Sequence, residues 1–222
     1  VDGAMSYIAE NGNVVVAANS LTAIEALTIA GALTGVQTSG TGISGSGAGA
    51  GSGNTVRNTG RARVRNGSTV TADGTVTITA TDALSDDEKS RIEADAGGVA
   101  IALALASKSS TTVNVTFGVS VAINDIENTI ESLVDDSTVT SGGDLALTAE
   151  SDIEIDALTI AGALSGTVAS QQGGLTVDIA GAGAGSGNTI TNTVSATIEN
   201  GSTVTTNNGG DVSLLATDDS TI

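Results

Sequence analysis

Apolar and polar positions alternate with period two along most of the chain, as in Ile24-Glu25-Ala26-Leu27-Thr28-Ile29, and short Gly-, Ser- and Asn-rich stretches interrupt the alternation. That pattern predicts half-covered β-strands joined by tight turns. Helix is a poor candidate, and the expected class is all-β.

The pattern also returns. Ile24-Glu25-Ala26-Leu27-Thr28-Ile29-Ala30-Gly31-Ala32-Leu33 recurs almost unchanged as Ile155-Asp156-Ala157-Leu158-Thr159-Ile160-Ala161-Gly162-Ala163-Leu164, with a looser copy from Ile92-Glu93-Ala94. The starts at 24, 92 and 155 lie 68 and 63 residues apart. They define repeats at 24–91, 92–154 and 155–222, with residues 1–23 closing a preceding repeat. A unit that recurs in this way buries its apolar face against its neighbours, which predicts one continuous β-solenoid, parallel and β-helix-like, built from repeats of about 65 residues.

Each unit reads as an alternating strand, a polar turn, a second long strand and a closing pair of short strands around a Gly turn. The polar turns are Gln37-Thr38-Ser39-Gly40, Ser107-Lys108-Ser109-Ser110 and Ser170-Gln171-Gln172-Gly173-Gly174. The long strand leads to a landmark, Asn-x-x-x-Asn-Thr: Asn54 with Asn58, Asn124 with Asn128, and Asn188 with Asn192. Stacked amides of this kind predict a side-chain hydrogen-bond ladder along the solenoid. The closing segments begin Ser68-Thr69-Val70-Thr71, Ser137-Thr138-Val139-Thr140 and Ser202-Thr203-Val204-Thr205.

With strings such as Ser137-Thr138-Val139-Thr140-Ser141-Gly142-Gly143-Asp144 the chain resembles the repeat regions of giant bacterial filamentous adhesins, of the filamentous-haemagglutinin-like and leukotoxin types. The likeness spans all three units. It implies a β-helical, exported, fibrous protein of the cell surface or extracellular matrix.

Composition narrows the chemistry. There is no His, Cys, Trp or Pro, which removes imidazole bases, thiolate nucleophiles, Cys/His zinc sites and disulfides. The net charge of −18, from 7 Lys+Arg against 25 Asp+Glu, speaks against nucleic acid and anionic membranes as partners. No apolar run reaches the roughly 18 residues of a membrane span, and a start at Val1 reads as an interior piece of a longer protein.

Charges suggest how the units stack. Three, seven and eleven residues past each first landmark Asn stand Arg57 with Glu127, Arg61 with Glu131, and Arg65 with Asp135; Arg63 is the exception, opposite Leu133. One circuit per repeat would place these residues about 4.8 Å apart, and three circuits per repeat about 14 Å apart. The sign reversal favours the first. Bulk alternates too, because Gly47, Gly49, Gly51 and Gly53 match Phe117, Val119, Val121 and Ile123, which match Gly181, Gly183, Gly185 and Gly187. Close packing of neighbouring backbone is the expected reason for those glycines.

Site chemistry is sparse. Acidic pairs at Asp86-Asp87 (with Glu88), Asp135-Asp136 and Asp218-Asp219 offer oxygen ligands for Ca²⁺, but no EF-hand or glycine-rich nonapeptide pattern surrounds them. Polar residues recur in rows and do not converge on one pocket, so no enzyme activity and no cofactor other than Ca²⁺ is expected. The expected partners are neighbouring repeats or further copies of the chain, with host surface or glycan reached through other regions. The expected function is a structural or adhesive fibre segment; the alternatives are a filament subunit polymerising through sheet edges and a polysaccharide- or Ca-binding β-helix.

Overall fold

The computed structural model describes residues 1–85, 88–106, 111–169 and 174–222, with backbone alone at 84, 85 and 88. Asp86, Asp87, the predicted turn at 107–110 and residues 170–173 of the predicted turn at 170–174 lie outside them. Among the described residues the strands are β1 (Ser6–Ala9), β2 (Val14–Asn19), β3 (Ala23–Thr38), β4 (Gly42–Arg65), β5 (Thr69–Ala72), β6 (Val76–Thr81), β7 (Ala83–Ser85), β8 (Glu88–Ala106), β9 (Thr112–Asp135), β10 (Thr138–Ser141), β11 (Leu145–Ser151), β12 (Ile153–Ala169), β13 (Thr176–Glu199), β14 (Thr203–Thr206) and β15 (Val212–Asp218).

The chain is all-β, and its sheets are parallel apart from the short antiparallel pairing of β7 with β8. Four of them run side by side, ordered β1-β5-β10-β14, β15-β11-β6-β2, β12-β8-β3 and β13-β9-β4. Each circuit of the chain therefore gives one long strand, a second long strand and two short ones, and the next circuit lays the same four alongside. Register follows the repeat: Ile24, Ile92 and Ile155 are Cα partners, and so are Asn54, Asn124 and Asn188. One repeat is one circuit.

The cross-section has a thick base and a thin blade. In the base, β6 and β11 turn Val76, Ile78, Leu145 and Leu147 inward against Val64, Ile130 and Val134 from the far ends of β4 and β9, with Val70 and Val139 closing the third side. A second cluster of Val56, Ile92, Ile126, Ile153 and Ile155 fills the neck. Beyond it the sheets of β8 and β9 face each other through small side chains. Ala100, Ala102 and Ala104 on one side and Thr112, Asn114, Thr116 and Ser120 on the other are all essentially inaccessible.

Two glycines set the closeness of that contact. A Cβ on Gly98 would lie 2.5 Å from the Val119 carbonyl oxygen, and one on Gly118 would fall inside the van der Waals envelope of the Gly162 carbonyl and 3.2 Å from that of Gly98. Hydroxyls span the layers: Ser120 Oγ donates to Ala96 O at 2.6 Å and Thr116 Oγ1 to Leu164 O at 3.3 Å. Backbone proximity and side-chain donors replace aliphatic bulk here.

The corner between long and short strands explains the recurrent Ser. Asn66-Gly67 and Asn200-Gly201 take positive φ (60° and 73°, 51° and 74°), as does Asp136 at 43°, a region Asn, Asp and Gly tolerate best. Ser68, Ser137 and Ser202 then return Oγ bonds to the carbonyls of Arg65, Asp135 and Glu199 at 2.7, 2.8 and 2.6 Å. Their backbones interlock as well, with Ser68 N donating to Ser137 Oγ at 3.2 Å.

Candidate functional site

The Asn landmark makes two different structures. The first column is a continuous amide ladder: Asn54 Nδ2 donates to Asn124 Oδ1 at 2.8 Å, and Asn124 Nδ2 to Asn188 Oδ1 at 2.8 Å. Asn124, only 1 % exposed, makes both bonds, so its loss strands a donor and an acceptor on its neighbours. Asn124→Ala is expected to lower stability by about 2–3 kcal/mol and Asn54→Ala by about 1 kcal/mol, measured by denaturant unfolding.

The second column is not the ladder expected from sequence. Asn58 Nδ2 turns across the neck to Thr22 Oγ1 (2.6 Å), Asn128 Nδ2 to Asp82 Oδ2 (3.0 Å), and Asn192 Nδ2 to Ser220 Oγ and Asp218 (2.9 and 3.1 Å). Here the long strand passes the end of the short one, and acceptors arrive from that side: Asn58 and Asn128 reach residues of the preceding repeat, while Asn192 reaches residues of its own. Within the column itself Asn58 N donates to Asn128 Oδ1 at 3.3 Å, and Asn192 Nδ2 also reaches Ser151 Oγ of the preceding repeat at 3.2 Å.

Asp82 is the residue that pattern reading missed. It is fully buried, and its carboxyl accepts from Asn128 Nδ2, from Ser151 Oγ at 2.8 Å and from Asp152 N at 2.8 Å, so it ties the first circuit to the second. The available signal was the column Asp82, Ser151, Asp218, which follows the closing strands at matched positions. Lys89 was missed as well. It lies between Asp152 (3.4 Å) and Glu154 (3.5 Å); partial desolvation opposes its charge, but the two carboxylates hold it above the ordinary lysine value of 10.5.

Arg57 with Glu127, Arg61 with Glu131 and Arg65 with Asp135 are direct Cα partners. Two of these pairs are ionic: Arg57 reaches Glu127 at 3.1 Å, and Arg61 reaches Glu131 at 3.7 Å. The third is corrected. Arg65 turns to Asp2 of the preceding partial circuit, at 2.7 Å, while Asp135 accepts from Asn200 Nδ2 at 2.7 Å. Arg63, predicted to face only Leu133, leans diagonally to share Glu131 with Arg61. Arg57 and Glu127 are both mostly exposed, so Arg57→Ala is expected to change stability by under about 0.5 kcal/mol, less still at high salt.

Asp2 is held below the ordinary 3.8 by the hydrogen bond from Arg65 and then by that from Asn66. A lowered carboxyl contributes stability that is present above the ordinary value and lost as pH falls through the lowered one. Followed by NMR, Asp2 is expected to titrate below 3.8 in the native chain and to return toward it in Arg65→Ala.

No group of three or more acidic side chains converges on a cation position among the described residues. Asp135 is engaged with Asn200, Asp136 sits at a corner with φ 43°, and Asp218 accepts from Asn192. A hollow of about 360 Å³ opens over Glu25, Ala26, Leu27, Glu93 and Asp95, and one of about 200 Å³ over Gly67, Ser68, Asp136, Ser137, Thr138 and Gly201. The first has acids on one wall, and Arg91 beside it is already bound to Glu25 at 2.9 Å. Neither assembles a nucleophile with a base.

The outward faces of the blade are aliphatic. On the central strands Val99, Leu103 and Leu105 of β8 and Phe117, Val119, Val121 and Ile123 of β9 are 40–59 % exposed. The glycines beside β9 were expected to admit neighbouring backbone; a Cβ on Gly47, Gly49 or Gly51 would only touch β9 carbonyl oxygens at 3.6–4.0 Å, one on Gly181 would crowd the Phe117 ring, and Gly53, Gly183, Gly185 and Gly187 face open space, where a Cβ would meet nothing within 4 Å. No family model matches the chain, and no curated protein and no solved structure matches it either.

Proposed function

We propose that the chain is a stretch of β-solenoid serving as the structural body of an exported bacterial surface fibre, as its resemblance to filamentous-adhesin repeats implies. The observation that carries this reading is the unbroken ladder Asn54–Asn124–Asn188, together with strand partners that keep repeat register over all three circuits. Chemistry that recurs at every circuit stiffens a stack and makes stability accumulate from unit to unit. Catalytic chemistry needs one circuit to differ from the rest, with unlike groups converging.

In this reading the strand lengths set the proportions of the fibre. β9 has 24 residues, about 80 Å if straight, while each circuit advances the stack by about 4.8 Å. Such a body is broad and ribbon-like, and gains length only through many repeats. Immunogold labelling of unpermeabilised cells that make the protein is expected to mark the surface, with particles along ribbons. Labelling that needs permeabilisation contradicts the reading.

Edge-to-edge polymerisation of separate segments is the rival. Joining the β13 edge of one copy to the β4 edge of another would set Gly181–Gly187 against Gly47–Gly53, which ends the alternation of bulk and bare backbone kept within the chain. Covalent continuation suits the sequence better.

A further inference from the structure

The blade carries an apolar face that none of the described residues covers. On β9, Phe117, Val119, Val121 and Ile123 form a ridge, 55, 50, 40 and 59 % exposed, although β9 is the central strand of its sheet. Further circuits added to either end of the stack would leave this lateral face uncovered. On each side of the ridge runs a glycine groove, Gly47–Gly53 on β4 and Gly181–Gly187 on β13. Glycine in a strand costs conformational entropy, and at Gly183, Gly185 and Gly187 no intrachain contact requires it.

We infer that this face docks a second copy of the chain, the β9 ridge of each copy seated in the β13 groove of the other. A two-fold axis parallel to the strands, midway between β9 and β13, sets ridge over groove in both directions at once, so the contact is isologous and closed. Ridge against ridge would hold the glycine rows apart and leave voids that close-packed interfaces lack. Charge favours the same pairing. The chain carries −18, yet the ridge and both grooves contain no ionisable side chain, so two copies meet where their mutual repulsion is least. The opposite face of the blade is less suited, because Asp95 interrupts it between Leu27 and Leu158.

Two overlapping strands of about 12 residues cover about 380 Å² on each copy, or about 760 Å² in all, below the roughly 1,200 Å² of a standard stable complex. The segment alone is therefore a weak dimer. In a longer array the contact multiplies with the number of circuits and joins fibres side by side.

Sedimentation equilibrium of the segment up to millimolar concentration tests this. The expected result is a monomer–dimer equilibrium that tightens as salt rises from about 0.05 to 0.5 M, because screening relieves acidic repulsion. Val119→Thr/Val121→Thr keeps the β-branched shape and makes the ridge polar; Gly183→Val/Gly185→Val fills the groove where a Cβ meets nothing. Each pair is expected to weaken dimerisation at least tenfold, with the unfolding midpoint of the glycine variants unchanged or raised. A strict monomer at millimolar concentration, or a dimer indifferent to both pairs, overturns the inference. So does a monomer that co-sediments with phosphatidylcholine vesicles, which would assign the face to lipid.

Discussion

Gly118→Ala is expected to destabilise the chain by about 3 kcal/mol, whereas Gly185→Ala on the other face of the same sheet is neutral or stabilising by a few tenths of a kcal/mol. The two glycines lie on neighbouring strands and are opposite in setting. A methyl on Gly118 meets the carbonyl oxygens of Gly162 and Gly98, which belong to strand backbones held in ladders and cannot rotate away. The layers must separate, which pulls Ser120 Oγ from Ala96 O and loosens the alanine contacts on either side. A methyl on Gly185 enters open space and only restricts the unfolded chain. Urea unfolding of both variants checks the pair, and equal midpoints would mean that the blade layers do not touch.

Asp82→Ala is expected to cost about 3–5 kcal/mol, the largest effect of any single polar replacement. It leaves Asn128 Nδ2, Ser151 Oγ and the Asp152 amide without their acceptor in a site with no access to water. Asp82→Asn is expected to lose about half as much, since its carbonyl can serve two of the three donors while its NH₂ faces the third. Because stability in a stack is local, the loss should be seen first as faster hydrogen exchange at Asp152 and the circuit boundary around it. Uniform protection across that boundary in Asp82→Ala would contradict the role given to this carboxyl.

Much of the architecture was legible because the repeat carries its own register. Charges of opposite sign at Arg57 and Glu127, and amides at Asn54, Asn124 and Asn188, favour neighbours in direct contact, and the structure places them as Cα partners. Period-two alternation cannot say which face is inward. In the blade the inward face is the small, polar one and the outward face the aliphatic one, the reverse of what burial alone would suggest. The errors at individual sites have local causes. Arg65 found Asp2, its partner in the incomplete circuit before it, which the matching of the three repeats left out, and Arg63 used the reach of its side chain to bypass Leu133. Asn58, Asn128 and Asn192 lie where the long strand passes the end of a closing strand, so their amides found acceptors at that end and not on the next Asn of the column.

The most direct test of one circuit per repeat uses the absence of native cysteine in the chain. In Arg57→Cys/Glu127→Cys the two Cα atoms are strand partners, about 4.8 Å apart and inside the span a disulfide bridges; in the offset control Arg57→Cys/Glu131→Cys they are about 14 Å apart and beyond it. Mild oxidation of dilute folded protein is predicted to cross-link the first variant within the chain and to leave the control reduced. Failure of the in-register pair, or equal cross-linking of both, would contradict the stack of single-repeat circuits on which the whole account rests.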